Sequence, residues 1–205
     1  MYCIVTMDLK AKTRFQIQKW GKIATIVCEF SGRYNSKNTV EIEVAVNKNA
    51  TFGKPLDIFV KEYDDHIAAG KVLRIVGTLE KIAGQDRKTG YEFEALRLLA
   101  YHVMISDELS PIFSNVSVTG NVKKLTDSSF MLSSPPREEN EKSTWLNLFV
   151  NRFDGAPQRI NQLKLKENSY VTVAGKLEAG NGSNLLFLKL HDINYAAFPQ
   201  RKEGA

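Results

Sequence analysis

The residues best equipped for chemistry in this sequence are aromatic rings spaced among cations, and the arrangement occurs twice. Leu56 to Asp64 reads LDIFVKEYD, and Leu146 to Asp154 reads LNLFVNRFD. At a period of two, Asp57, Phe59, Lys61 and Tyr63 share one face of the first stretch. Trp145, Asn147, Phe149, Asn151 and Phe153 share one face of the second, with Arg152 alongside. Rings separated by polar side chains make and break no bonds. They offer flat surfaces on which bases stack, at about 1–3 kcal/mol each and with little regard to base identity, while neighbouring cations neutralise phosphates. Rings at strand spacing equally serve a core or an interface, and a duplicated core would also recur. The nearby Lys54, Lys61 and Arg152 weigh toward a covered, basic surface.

Catalytic chemistry finds little support. His66, His102 and His191 stand far apart, and none neighbours Cys3 or Cys28, the two cysteines. AGQDRKTG lacks the Gly-Lys-Ser/Thr ending of a phosphate-binding loop. No enzyme, cofactor or metal site is therefore expected. Two cysteines without framework spacing suit a reducing cytoplasm. The opening MYCIVTMDLK is too short an apolar run for a signal peptide, and no window reaches the length of a membrane span. The expectation is a soluble protein of the cytoplasm or nucleoid, with no membrane partner.

The elements that must position the rings are short strands. Val, Ile, Thr and aromatic runs at roughly 22–30, 38–47, 56–63, 72–80 and 91–104 are followed by a second set at 115–122, 128–133, 144–153, 169–178 and 185–195. Gly77-x-Leu79-Glu80 and Gly175-x-Leu177-Glu178 match within the fourth strands, so the chain reads as a tandem duplication. The boundary falls near SDELSP, giving units of 1–105 and 106–205. A glycine inside a strand marks a bend or bulge, which a small closed barrel needs. The fold class expected is all-β: two five-stranded OB-fold Greek-key barrels, each with a short helix or turn between strands three and four. The N-terminal 20 residues are read as an extension that adds a strand to a barrel edge or a partner, with Phe15 and Trp20 as further candidates for the binding face.

In such a barrel the loops after strands one and four border the groove. The first holds Arg33, Tyr34 and Lys37, and the other holds Lys81, Arg87, Lys88 and Tyr91. Cation, ring, cation is what tracks a phosphate backbone while stacking bases, although an ordinary hairpin tip also carries solvated Lys and Arg. The chain has a net charge of +5. Residues 1–105 hold 16 Lys and Arg against 12 Asp and Glu, and the remainder 12 against 11. The first barrel is thus expected to bind polyanions better, with the second free for dimerisation or a protein partner.

Several segments resemble the bacterial single-stranded DNA-binding protein family. NVSVTGNV resembles its opening strand, STWLNLFVNRF its third, LKLKENSYVTVAGKLE its helix end and fourth strand, and GRYNSKNTVEIEVAVN its Arg-Tyr loop and second strand. The resemblance covers most of residues 22–195. It implies that Trp145 stacks on a base and that Asn147 lines the groove, and Pro55 stands where the first copy would carry that Trp. The family's acidic, Phe-ended tip has no counterpart in the basic FPQRKEGA, so recruitment through such a tip is not expected.

Two functions follow. One is a sequence-tolerant single-stranded DNA binder for replication, recombination or repair, cellular or of a phage. It would act as a homodimer alongside replication or recombination proteins. Single-stranded RNA stays open as the ligand, because stacking and phosphate contacts do not read the 2′-hydroxyl. The other is an OB-fold adaptor whose rings bind protein.

Overall fold

The computed structural model describes residues 3–19, 21–33, 37–85, 89–106, 109, 112–126, 129–135, 143–151, 163–180 and 185–196. The N-terminal residues form a full strand, β1 (Cys3–Ala11), in which Cys3, Val5, Met7 and Leu9 are buried at alternate positions. β2 (Gln16–Ile17) is a two-residue bridge to β3 (Ile23–Phe30), followed by β4 (Val40–Asn47). The extension expected at the N-terminus is therefore the barrel's own first strand. Phe15 is buried and Trp20 lies outside the described residues.

The strand expected at 56–63 is a helix, α1 (Leu56–Ala68). Leu56, Phe59 and Val60 are buried, and Tyr63 and Ile67 pack against the core, so the apolar positions run i, i+3, i+4, i+7, i+11. Ile58, which a strand would turn inward, is 51% exposed. Pro55 sits at the N-cap, where its missing N–H costs nothing, and Gly70 follows the helix at φ 77. Both stop signals bracket the helix. LNLFVNRFD differs in carrying Asn147 and Asn151, poor helix formers, and it is a strand over the part described.

The chain continues through β5 (Val72–Gln85), β6 (Glu92–Ser106), β7 (Ser114–Lys123), β8 (Ser129–Ser134), β9 (Ser143–Thr144), β10 (Leu146–Asn151), β11 (Tyr170–Ala179) and β12 (Leu186–Tyr195). The helix or turn expected between β10 and β11 falls mostly on residues 152–162, outside the described residues.

The strands close two rings of five. In ring one the order is β1-β3-β4-β6-β5 and back to β1, with β4 and β6 parallel and the other neighbours antiparallel. Ring two repeats it as β7-β8-β10-β12-β11 and back to β7, with β10 and β12 parallel. This all-β order is compatible with the expected Greek-key barrels. Each ring carries a register shift at its matched glycine, between Val76 and Gly77 and between Ala174 and Gly175. A Cβ on Gly77 would lie 2.2 Å from the Leu99 carbonyl oxygen, and one on Gly175 would lie 2.1 Å from that of Lys189. Only glycine lets the backbones approach so closely.

Among the described residues the rings are joined at three places. β1 pairs antiparallel with β7, Val5 opposite Val116. β9 pairs with β5, Thr144 opposite Lys81. The loop after β3 packs on β11, where Ala179 N–H donates to the Ser31 carbonyl at 2.9 Å. Beside the first junction Asp8, fully buried, accepts two hydrogen bonds from Arg74, whose guanidinium lies 4.5 Å from the Phe113 ring centre.

Candidate nucleic-acid interface

On ring two the strand period separates core from surface. Phe130 and Leu132 of β8, Leu146, Leu148 and Val150 of β10, and Leu186, Leu188 and Leu190 of β12 all point inward. Their alternates face out and align across the strands. Met131 is opposite Phe149, Phe149 is opposite Phe187, and Phe187 is opposite Glu178. The Phe149 and Phe187 rings lie 5.7 Å apart at 35°. Phe149 is 38% exposed and Trp145, on the same side one turn of the pleat away from Asn147, is 48% exposed. In the row two residues further along, Lys189 is opposite Lys176, and both are exposed. Rings for bases beside cations for phosphates make a surface suited to a single strand.

Ring one is built on the same register with other side chains. Val27 is opposite Glu43, Glu43 opposite Arg97, and Arg97 opposite Glu80, in the places of Met131, Phe149, Phe187 and Glu178. Arg97 Nε donates to Glu43 at 2.7 Å. Leu99 and Thr78 occupy the positions of Lys189 and Lys176. Alongside runs a groove lined by Val27, Thr39, Glu41, Glu43, Glu94, Ala95 and Leu96. The greater net charge of the first half is not displayed here as free cations: the groove's Glu41, Glu43 and Glu94 take up Lys12, Arg97 and Lys81 in ion pairs, and for a ligand the local arrangement of charge counts for more than the net charge.

The residues singled out in the sequence are distributed unevenly. Phe59 is 1% exposed, stacked on Tyr63 at 4.1 Å and edge-on to Phe15, so it has no surface to offer a base. Tyr63 is half-buried and donates its hydroxyl to the Val103 carbonyl at 2.8 Å. Burial first, and then the charge of Glu62, push its pKa up. Both are core residues, because the strand that would have faced them outward is α1. Lys61 lies exposed on that helix, and Lys54 is ion-paired with Glu62 at 2.7 Å. Lys54 lines a separate groove with Lys22 and Lys48 that shares no residue with the aromatic row.

Arg33 reaches from ring one to Glu178 of ring two, its Nε 2.7 Å from the carboxylate. The hydrogen bond, and then the charge, of Glu178 raise its pKa. Lys37 is exposed. Lys81 is ion-paired with Glu94 at 2.6 Å, and its pairing with Thr144 brings the β5–β6 hairpin beside Trp145. Tyr91 on that hairpin is 77% exposed. Tyr34, Arg87, Lys88, Arg152 and Phe153 lie outside the described residues. Of the expected set, the structure gathers Trp145, Asn147 and Phe149 on one face.

Met131, Phe187, Lys176 and Lys189 are members of that face that the sequence reading missed. The signal for three of them is the alternation itself. NLLFLKLHD puts Leu186, Leu188 and Leu190 on one side and Phe187 and Lys189 on the other, and Lys176 sits between the inward-facing Gly175 and Leu177. Among the described residues no group of three or more His, Cys, Asp or Glu side chains is placed to hold a metal ion, and no helix is long and apolar enough to cross a membrane.

The fold is shared with single-stranded DNA-binding proteins of known structure. The wild-type single-stranded DNA binding protein from Thermus aquaticus superimposes with a TM-score of 0.53 at 12% identity, over 98% of this chain and 95% of that one. A deletion mutant of the same protein gives 0.53 at 13% identity, over 98% and 97%. No family model and no curated protein matches the sequence.

Proposed function

We propose that this chain binds single-stranded DNA on the outer face of β8, β10 and β12, independently of base sequence. The observation that carries the reading is the aligned Met131–Phe149–Phe187 row, with Phe149 exposed, Met131 and Phe187 partly so, and Lys189 and Lys176 alongside. Phe149, Phe187 and Trp145 stack on successive bases, and the lysines neutralise phosphates as the strand passes. The similarity in fold to proteins that bind single-stranded DNA supports this choice of ligand. A place in replication, recombination or repair, where single strands are exposed, belongs to the same proposal, as do a homodimer and protein partners from those processes.

Titration with oligo-dT at two salt concentrations, against duplex and RNA of equal length, tests it. The expected result is quenching of Trp fluorescence by oligo-dT, preference over duplex, and a steep fall of affinity with salt. Replacing Phe149 and Phe187 together by Ala should lower affinity by at least tenfold while the fold is kept. Unchanged affinity in that variant would remove the stacking face, and equal binding to duplex would remove the single-strand reading.

A further inference from the structure

We infer that the two rings are functionally unequal: ring one carries the Glu43–Arg97 ion pair where ring two carries its stacking rings, so that one chain presents a single nucleic-acid face. This rests on the proposal that ring two binds single strands. The rings superimpose position for position in strand order and register, and they share the same bulged glycine. The difference lies in what the shared register displays. Where ring two has Phe149 and Phe187 side by side, ring one has Glu43 and Arg97 bonded to each other. Where ring two has two lysines, ring one has Leu99 and Thr78.

The pair is held in place. Arg97 and Glu43 are 24% and 33% exposed, lie directly opposite on parallel strands, and make both an Nε and an Nη2 contact, the latter at 2.6 Å. Arg97 is thus satisfied within the protein, and the pair, neutral as a whole, offers a phosphate no cation that is not already bonded. Glu41, next outward on β4, is ion-paired with Lys12, so a second cation is engaged as well. A strand would have to break these contacts and would gain no ring to stack on.

The test is a pair of double variants and a length series of oligo-dT, with ring two left intact. Glu43→Gln with Arg97→Gln removes both charges, the first at constant shape and the second with a shorter side chain. It should leave affinity within twofold of wild type and the salt dependence unaltered, since neither residue contacts the strand. Glu43→Phe with Arg97→Phe installs the second ring's row on the first. Wild-type affinity should stop rising with length once one barrel is covered, at about 4–16 nucleotides. The Phe variant should go on rising to about twice that length, with a gain of tenfold or more for the longest oligonucleotides and none for the shortest. A several-fold loss of affinity and a shallower salt slope in the Gln variant would overturn the inference, because Arg97 would then be a phosphate contact. If the Phe variant does not fold by circular dichroism, the Gln variant decides alone. The Ala replacements of Phe149 and Phe187 fail or succeed separately, so loss of the ring-two reading is distinguishable from loss of this one.

Discussion

Glu178 accepts a hydrogen bond from Arg33 across the junction of the two rings, 145 residues apart in sequence, and its neighbour on the adjacent strand is Phe187. A carboxylate therefore ends the aromatic row, and the one cation of the first loop described at that junction is spent on it. Arg33 is 62% exposed and Glu178 19%, so solvent screens the pair and its worth to folding is small, about 0–1 kcal/mol. Its weight falls on the ligand. Glu178→Gln should raise affinity for oligo-dT several-fold at low salt by releasing Arg33 and removing a like charge. The gain should shrink as salt rises. Isothermal titration at two ionic strengths reads this, and weaker binding by the Gln variant would contradict it.

Trp145 and Phe59 should part company. Trp145→Ala, at a half-exposed position, is expected to lower binding by about 1–3 kcal/mol and to change stability by less than about 1 kcal/mol. Phe59→Ala empties a core site against Phe15 and Tyr63 and should cost about 3–5 kcal/mol of stability. Binding by whatever remains folded should be normal. Urea melts with parallel fluorescence titrations separate the two, and equal losses of stability would return Trp145 to the interior.

The bulged glycines are the most sensitive backbone positions. Gly77→Ala or Gly175→Ala would push a Cβ to 2.2 or 2.1 Å from a carbonyl oxygen. Strands must part to admit it. Each change should destabilise by about 1–3 kcal/mol or more, measured as a shift in urea midpoint, with the Gly175 variant also displacing the Lys176–Lys189 pair and weakening oligo-dT binding.

Burial pushes the Cys28 thiol up to about 12 and raises Cys3 as well. In the unfolded chain both return to the ordinary thiol range, near 8.5. Above that value the native state holds protons that the unfolded state has lost, so stability falls with rising pH. The contribution is complete below about pH 8.5 and should decline through pH 9 to 12. Neither thiol should react with a disulfide reagent at neutral pH until the protein unfolds, and rapid labelling of the native protein would show that β1, at Cys3, or β3, at Cys28, opens locally.

Much of this was legible in the sequence because β-strands display their period in the open. The matched Gly77 and Gly175, and Glu80 and Glu178 three residues beyond, were readable as a duplication. The outward face of β10 followed from alternation. Ring one is harder to read because LDIFVKEYD satisfies two periods at once: Leu56 and Val60 are apolar under either, and only Phe59, Ile67 and the flanking Pro55 and Gly70 tell helix from strand. A strand expected there shifts the third strand from Val40–Asn47 to the residues of α1. The same shift conceals Glu43 as the counterpart of Phe149 and places two core rings, Phe59 and Tyr63, on the surface. The junction loop was opaque for another reason, since a contact between Arg33 and Glu178 depends on how the two rings meet.

The pairing of β1 with β7 places equivalent residues face to face. Val5 lies opposite Gly77 within ring one and Val116 opposite Gly175 within ring two, and Val5 and Val116 lie opposite each other. In each ring the second strand covers only one end of the first, at Lys10–Ala11 and at Asn121–Lys123. The other end, a bare row of amides and carbonyls, is closed by its twin. A local dyad thus runs through the Val5–Val116 pair, and the edge is self-complementary. Severed from its sibling, either half would carry a sticky ribbon whose best partner is another copy of itself, so a half-length chain should assemble in pairs rather than stay alone.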